Sequence, residues 1–142
     1  MTVDSKREQI LKHVATVLAD ADGIDGRVYR SDPDAVDRDY SPCILLRWTN
    51  EQAEQGTVPM SHRLLTLQLD ILVRGDEPDG LADPIAQSAH TLLTADTSLG
   101  GLALDVMLGD AQFEYTNADQ VAGKLTHEYQ VKYRHSYSDL TA

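Results

Sequence analysis

The residues most capable of chemistry are five histidines, one cysteine and two short acidic clusters. The histidines lie far apart in the sequence, and no two have the spacing of a metal-binding pair on a helix: His13, His62, His90, His127 and His135. Cys43 has no flanking motif that would activate it as a nucleophile, and as the one cysteine it excludes an internal disulfide. The sequence contains no nucleophile elbow, phosphate-binding loop or paired-cysteine motif. We therefore expect no enzyme activity, no cofactor and no metal site.

The two acidic clusters have the composition of calcium loops but lack the order of ligands that calcium requires. In "DADGIDG", at 20–26, a helix-loop-helix calcium site would need an oxygen ligand at Ile24, glycine at Asp25 and glutamate at Ser31. In "GDEPDG", at 75–80, the glycines, the proline and the aspartates all have roles in a strand-to-helix turn. Both clusters are therefore predicted to be turns.

The composition restricts the possible partners. The chain has 142 residues, 23 of them acidic and 12 of them Lys or Arg, for a net charge of −11. This charge opposes binding to nucleic acid or to an anionic membrane surface through phosphate contacts. No apolar run reaches the length needed to cross a bilayer, and the first residues lack the apolar core of a secretion signal. We expect one soluble domain over 1–142 that is made in the cytoplasm.

Hydrophobic periodicity predicts a helix, a short strand and then a hairpin. The helix covers 5–20, and "RVYR" after the turn predicts the short strand. "CILLRWT", at 43–49, and the long stretch at 63–73 predict the antiparallel hairpin. In the long strand the apolar residues share one face, which is predicted to meet the core, while Thr66, Gln68 and Asp70 share the other.

A second helix and two more strands follow. Asp79 or Asp83 is predicted to cap the helix, whose apolar stripe includes Leu81, Ile85, Ala89, Leu92 and Leu93. The stretch at 102–116 alternates at Leu102, Leu104, Val106 and Leu108 until Gly109 suggests a bulge, and 124–135 forms the last strand. The order predicts an α+β fold: a mixed, largely antiparallel sheet of about four to five strands with two helices packed on one face. Part of the sheet and at least one edge should then lack cover within the chain.

The polar connection "NEQAEQGTVPMSH", at 50–62, is longer than a hairpin turn needs. One interpretation is a surface loop. The other is a protruding arm that orders against another subunit, with Gly56, Val58 and Met60 as candidate assembly contacts.

The whole pattern resembles the tail terminator family of long-tailed bacteriophages, which includes minor tail protein U and the tail completion proteins. Five segments carry the resemblance: "REQILKHVATVLA", "SPCILLRW", "HRLLTLQLDILVRG", "GLADPIAQSAHTLLTAD" with "TSLGG", and "LTHEYQVKYRHSY". Together they extend over nearly the full length and depend on the order of the elements.

The resemblance implies a structural virion protein without catalytic residues. Subunits would form a ring, commonly of six copies, at the head-proximal end of the tail, where the ring stops growth of the tail tube and presents a surface to the head-completion or neck protein. DNA would pass through the channel without specific binding. Acidic residues turned toward the channel would repel the DNA, and the candidates are Asp34, Asp37, Asp39, Glu51 and Glu54.

Two other interpretations remain open. A head-to-tail connector or neck protein would share the size, the ring symmetry and the lack of chemistry. A small-molecule-binding domain or an enzyme would instead line a pocket with His127 and Tyr129, although a histidine on an apolar strand face is also typical of a core or an interface. A binding domain should gain thermal stability from its ligand, whereas a ring component should gain it from neighbouring subunits.

Overall fold

The computed structural model describes residues 3–30, 42–54, 59–117 and 121–142. Its elements follow the predicted order: α1 (Lys6–Leu18), β1 (Val28–Tyr29), β2 (Cys43–Glu54), β3 (Met60–Arg74), α2 (Pro78–Ala95), β4 (Asp105–Asn117) and β5 (Val121–Ser136). The strands form one open sheet in the order β1-β2-β3-β5-β4, in which only the β1–β2 pair is parallel. The predicted α+β class with a mixed, largely antiparallel sheet is therefore confirmed.

Both helices pack on the same face of the sheet. α1 is capped by Ser5, whose hydroxyl accepts from the backbone N–H of Glu8, and it buries Ile10, Leu11 and Val14 against the sheet core. The core face contains the alternate apolar residues of the central strands, as predicted: Leu65, Leu67, Leu69, Ile71 and Val73 of β3 and Tyr129, Val131 and Tyr133 of β5. Burial of this shared face is the main source of stability.

The hairpin formed by β2 and β3 is longer than predicted, and the prediction of a long polar connection at 50–62 is wrong at both ends. β2 continues to Glu54, and β3 already begins at Met60. Polar residues such as Gln52 have low strand propensity, which led to the shorter prediction. The ladder overrides this preference, because residues 50–54 pair with residues 62–66 and Met60 pairs with Ser136 of β5.

Two β-bulges change which residues face the helices. In β2 the register shifts between Trp48 and Asn50, so Glu51 lies opposite Leu65 on the core face. In β4 the register shifts between Leu108 and Ala111, which confirms the irregularity predicted at Gly109. The bulge in β2 had no glycine to mark it, so the sequence did not reveal it.

Two smaller predictions, one about capping and one about burial, are wrong. α2 begins at Pro78 after Glu77, and no side chain caps it, so neither Asp79 nor Asp83 has the predicted role. Leu81, predicted in the buried stripe, is 47% exposed, because the helix instead buries Pro78, Ala82, Ile85, Ala86, Ala89 and Leu93. Val106 of β4 is buried, whereas Leu108 of the same strand and Leu104, which precedes it, are 55% and 48% exposed.

Candidate functional site

Of the three candidate assembly contacts, Met60 lies within the described residues. Met60 is the first residue of β3, its side chain is half-buried, and its Cα pairs with Ser136. Gly56 and Val58 lie outside the described residues. Met60 therefore belongs to a ladder within the subunit.

Of the candidate channel residues, Glu51 and Glu54 lie on β2, whereas Asp34, Asp37 and Asp39 lie outside the described residues. Only 10% of the Glu51 side chain is exposed, and its carboxylate lies 3.1 Å from Nη1 of Arg7 and accepts from the hydroxyl of Tyr133. Glu54 is 3.9 Å from Nζ of Lys132. These two carboxylates interact with cations or hydroxyls inside the subunit.

The Glu51 contacts form a cluster that links α1 to β2 and β5. The guanidinium of Arg7 lies 4.3 Å from the centre of the Trp48 ring, a cation–π distance, while it also pairs with Glu51. Burial, and then the hydrogen bond to Glu51, raise the pKa of Tyr133, so its hydroxyl stays protonated and donates. Trp48 is still 42% exposed. The cluster fixes the position of an exposed indole at the edge of the sheet.

The sheet face opposite the helices contains a buried carboxylate. Asp70 is completely buried, although the sequence predicted it on the polar face. It accepts from Thr126 at 2.7 Å and from Gln68 at 3.1 Å, and it pairs with Arg47. The Nε of Arg47 is buried without a hydrogen-bond partner in the described part of the chain. Because every partner of Asp70 except Gln68 comes from another strand, this group ties three strands together.

The predicted pocket residues His127 and Tyr129 lie together on the helix side of β5. Their ring centres are 6.3 Å apart, and the Tyr129 hydroxyl lies 2.9 Å from Nδ1 of His90 on α2. Tyr129 is 1% exposed, and burial raises its pKa to about 12. Burial, and secondarily the nearby His90, lower the pKa of His127. This arrangement is typical of a core hydrogen bond between helix and sheet.

Cys43 and the acidic clusters can be placed in the same way. The Cys43 thiol is buried, and burial raises its pKa to about 11, so it is protonated and a weak nucleophile at neutral pH. The "DADGIDG" segment is a turn between α1 and β1, with Gly23 and Gly26 at positive φ. Within the described ranges, no group of three His, Cys, Asp or Glu side chains is placed to hold a metal ion. Neither described helix is long and apolar enough to span a membrane.

The remaining candidate surfaces are the two outer edges of the sheet. β4 forms one edge and pairs only with β5. At the other edge, β1 pairs with β2 only at Ile44 and Leu45, so the rest of β2 has no outer neighbour among the described strands. Sequence reasoning predicted an uncovered edge but not which strands would form it.

The chain matches no protein-family model, and no curated protein matches it either.

Proposed function

We propose that this chain is the tail terminator of a long-tailed bacteriophage, a structural subunit of the virion tail. Copies of the chain form a closed ring, commonly of six, on the head-proximal end of the tail tube. The ring stops growth of the tube and binds the head-completion or neck protein, and DNA passes through it without specific binding. The chain acts as a structural protein and not as an enzyme.

The observation that carries the proposal is the open sheet with long outer strands. β4 and most of β2 leave rows of backbone N–H and C=O groups without a neighbouring strand among the described residues. Monomeric proteins usually shorten or shield such edges, because another chain can pair with them. Exposed apolar side chains lie on both strands, Trp48 on β2 and Leu108 and Tyr115 on β4. Such edges are typical of a subunit whose outer strands pair with neighbouring subunits in an assembly.

The order of elements supports the family assignment in a second way. The sequence resemblance expects an amino-terminal helix, a long hairpin, a second helix and two closing strands, and the fold has this order. The side chains that could take part in chemistry instead stabilise the fold: Glu51, Asp70 and Tyr129 all have hydrogen-bond partners within the subunit. A subunit whose role is assembly requires nothing more of them.

The proposal is tested by locating the chain on tail tubes. Purified tubes would be incubated with gold-labelled chain and examined by electron microscopy, with the same label on an unrelated acidic protein as control. We expect gold at one end of each tube and no further lengthening when tube subunits are added. Tubes that continue to grow with the chain bound would favour the connector role, and absence of end binding would overturn both ring roles.

A further inference from the structure

The β4 edge is long, acidic and partly apolar. Within Asp105–Asn117 the charged residues are Asp105, Asp110 and Glu114, with no Lys or Arg. Leu108 is 55% exposed and Tyr115 is 64% exposed. The length and exposed apolar side chains of β4 leave it accessible to another strand, while its carboxylates and the bulge between Leu108 and Ala111 oppose pairing with a second β4.

The β2 edge differs in shape and in charge. Beyond Leu45 it borders an open groove of about 420 Å³ that is lined by Glu8, Arg30, Leu46, Arg47 and Trp48. Exposed residues follow along the strand at Asn50, Gln52 and Ala53. The groove thus offers the apolar surface of Trp48 beside the part of β2 that has no outer neighbour among the described strands.

Three arginines lie along the β2 edge in a chain with only 12 basic residues. Arg7, Arg30 and Arg47 each pair with one carboxylate of the same subunit, and about a third of each side chain is exposed. A guanidinium has five N–H donors, so one carboxylate leaves donors free for a second acceptor. The acidic β4 edge of another molecule would supply such acceptors.

The strand directions allow these two edges to pair between copies. β2 is antiparallel to β3, β3 to β5 and β5 to β4, so β2 and β4 run in opposite directions within one subunit. Copies related by rotation about an axis roughly along the strands keep these directions. The β4 strand of one copy would therefore lie antiparallel to β2 of the next, as in an ordinary sheet.

We propose that the occupant of each edge is a second copy of this chain, with β4 of one subunit paired to the free part of β2 in its neighbour. This head-to-tail contact uses two different surfaces, so it repeats around a ring until the ring closes. An exposed apolar side chain of β4 enters the groove beside Trp48, and the β4 carboxylates approach the arginines. The inference rests on the proposed ring and names the contact that builds it.

Cysteine cross-linking tests the contact directly. The variants are Asn50→Cys on β2, Gln112→Cys on β4 and the double variant. Both positions are exposed, and their strand partners, Thr66 and Thr126, lie on the same sheet face as Asp70. A short bis-maleimide would be added to the purified full chain at high concentration. The wild-type chain is the background control, because its one cysteine, Cys43, is buried.

The double variant should give a ladder of covalent multimers beyond the dimer, and each single variant should stay monomeric on a denaturing gel. Dimers from Gln112→Cys alone would show that β4 pairs with itself and would overturn the head-to-tail contact. Absence of a ladder in the double variant would overturn the contact as well. If tube-end binding persists in that case, the terminator proposal stands and only the interface is wrong.

A matched pair of lysine substitutions provides a second test that needs no cross-linker. Leu108→Lys places a charge on the β4 edge, whereas Leu140→Lys places it on a leucine of nearly equal exposure, 55% against 58%, in the carboxy-terminal segment. Charged edge residues oppose strand pairing. The β4 variant should lose the sedimenting oligomer and keep its melting temperature, while the control keeps both. Equal loss of the oligomer in the two variants would overturn the assignment to β4.

Discussion

At the scale of single residues, Asp70 makes the clearest contribution to stability. Its completely buried carboxylate accepts hydrogen bonds from Gln68 and Thr126 and pairs with Arg47. Asp70→Ala should lower the free energy of unfolding by about 2–3 kcal/mol, because it leaves a partly buried guanidinium without its carboxylate. Arg47 keeps some contact with water, which places the loss below that of a fully buried pair.

Chemical denaturation measures this loss. The control is Asp83→Ala, which removes an exposed carboxylate bonded to Gln87 on α2 and should change stability by less than about 0.5 kcal/mol. Equal losses in the two variants would show that the contacts of Asp70 add no more to the free energy of unfolding than those of an exposed carboxylate.

The pH dependence of stability should report on His127. Burial and His90 lower its pKa below the ordinary value of 6.5, so the unfolded chain binds a proton more readily than the folded chain. This contribution to stability is fully present above 6.5 and is lost as the pH falls through the lowered pKa of the folded state.

The experiment is a series of denaturant titrations from about pH 8 to about pH 5, which spans the ordinary histidine range. His127→Asn should reduce the fall in unfolding free energy at acid pH. The control His62→Asn, on β3, should leave the His127 contribution in place. An unchanged slope in His127→Asn would contradict the assigned burial effect.

Single residues were predictable from the sequence where burial follows simple alternation. Leu65, Leu67 and Leu69 are buried as the two-residue period requires. The burial of Asp70 was not predictable, because its partners Arg47 and Thr126 are distant in sequence and contact it only through strand pairing. No local pattern marks such a contact.

At the scale of elements, the close contact of α2 with the sheet depends on Gly123. A Cβ at this position in β5 would lie 2.9 Å from Cβ of Pro78 and even closer to the ring of Phe113. Gly123→Ala should therefore destabilise the fold by about 1–3 kcal/mol through overpacking. Thermal or chemical unfolding measures the change.

Gly80 provides the matched substitution on α2. A Cβ there would meet only Glu77, at 3.8 Å, so Gly80→Ala adds no clash and removes freedom from the unfolded chain. We expect a gain of about 0.5 kcal/mol, reduced by the position near the helix start. Destabilisation by both substitutions to a similar extent would contradict the packing argument.

The type and order of elements were predictable, whereas strand lengths were not. Polar residues at 50–54 have weak strand preference, yet the ladder with β3 holds them in β2. The bulge that turns Glu51 toward Arg7 and Tyr133 has no glycine to mark it in the sequence. Long-range pairing, which a single sequence does not display, decided both features.

At the scale of the whole molecule, the net charge of −11 is unevenly distributed. The β4 strand contributes only acidic charge, while near the β2 edge Arg7, Arg30 and Arg47 are each balanced by a carboxylate of the same subunit. The overall composition predicted that the chain does not bind nucleic acid through phosphate contacts. The difference in charge between the two edges emerged only from the sheet order. This difference gives each subunit two distinct sheet edges, which a head-to-tail ring would require.

The length of phage tails tests the central claim most directly. Tails would be measured by electron microscopy in particles assembled with the chain, without it, and with the chain restored. We predict that its absence gives overgrown tails that fail to join heads, and that restoration returns both the length and the joining. Tails of normal length in its absence would contradict termination, and unattached heads beside them would favour the connector role.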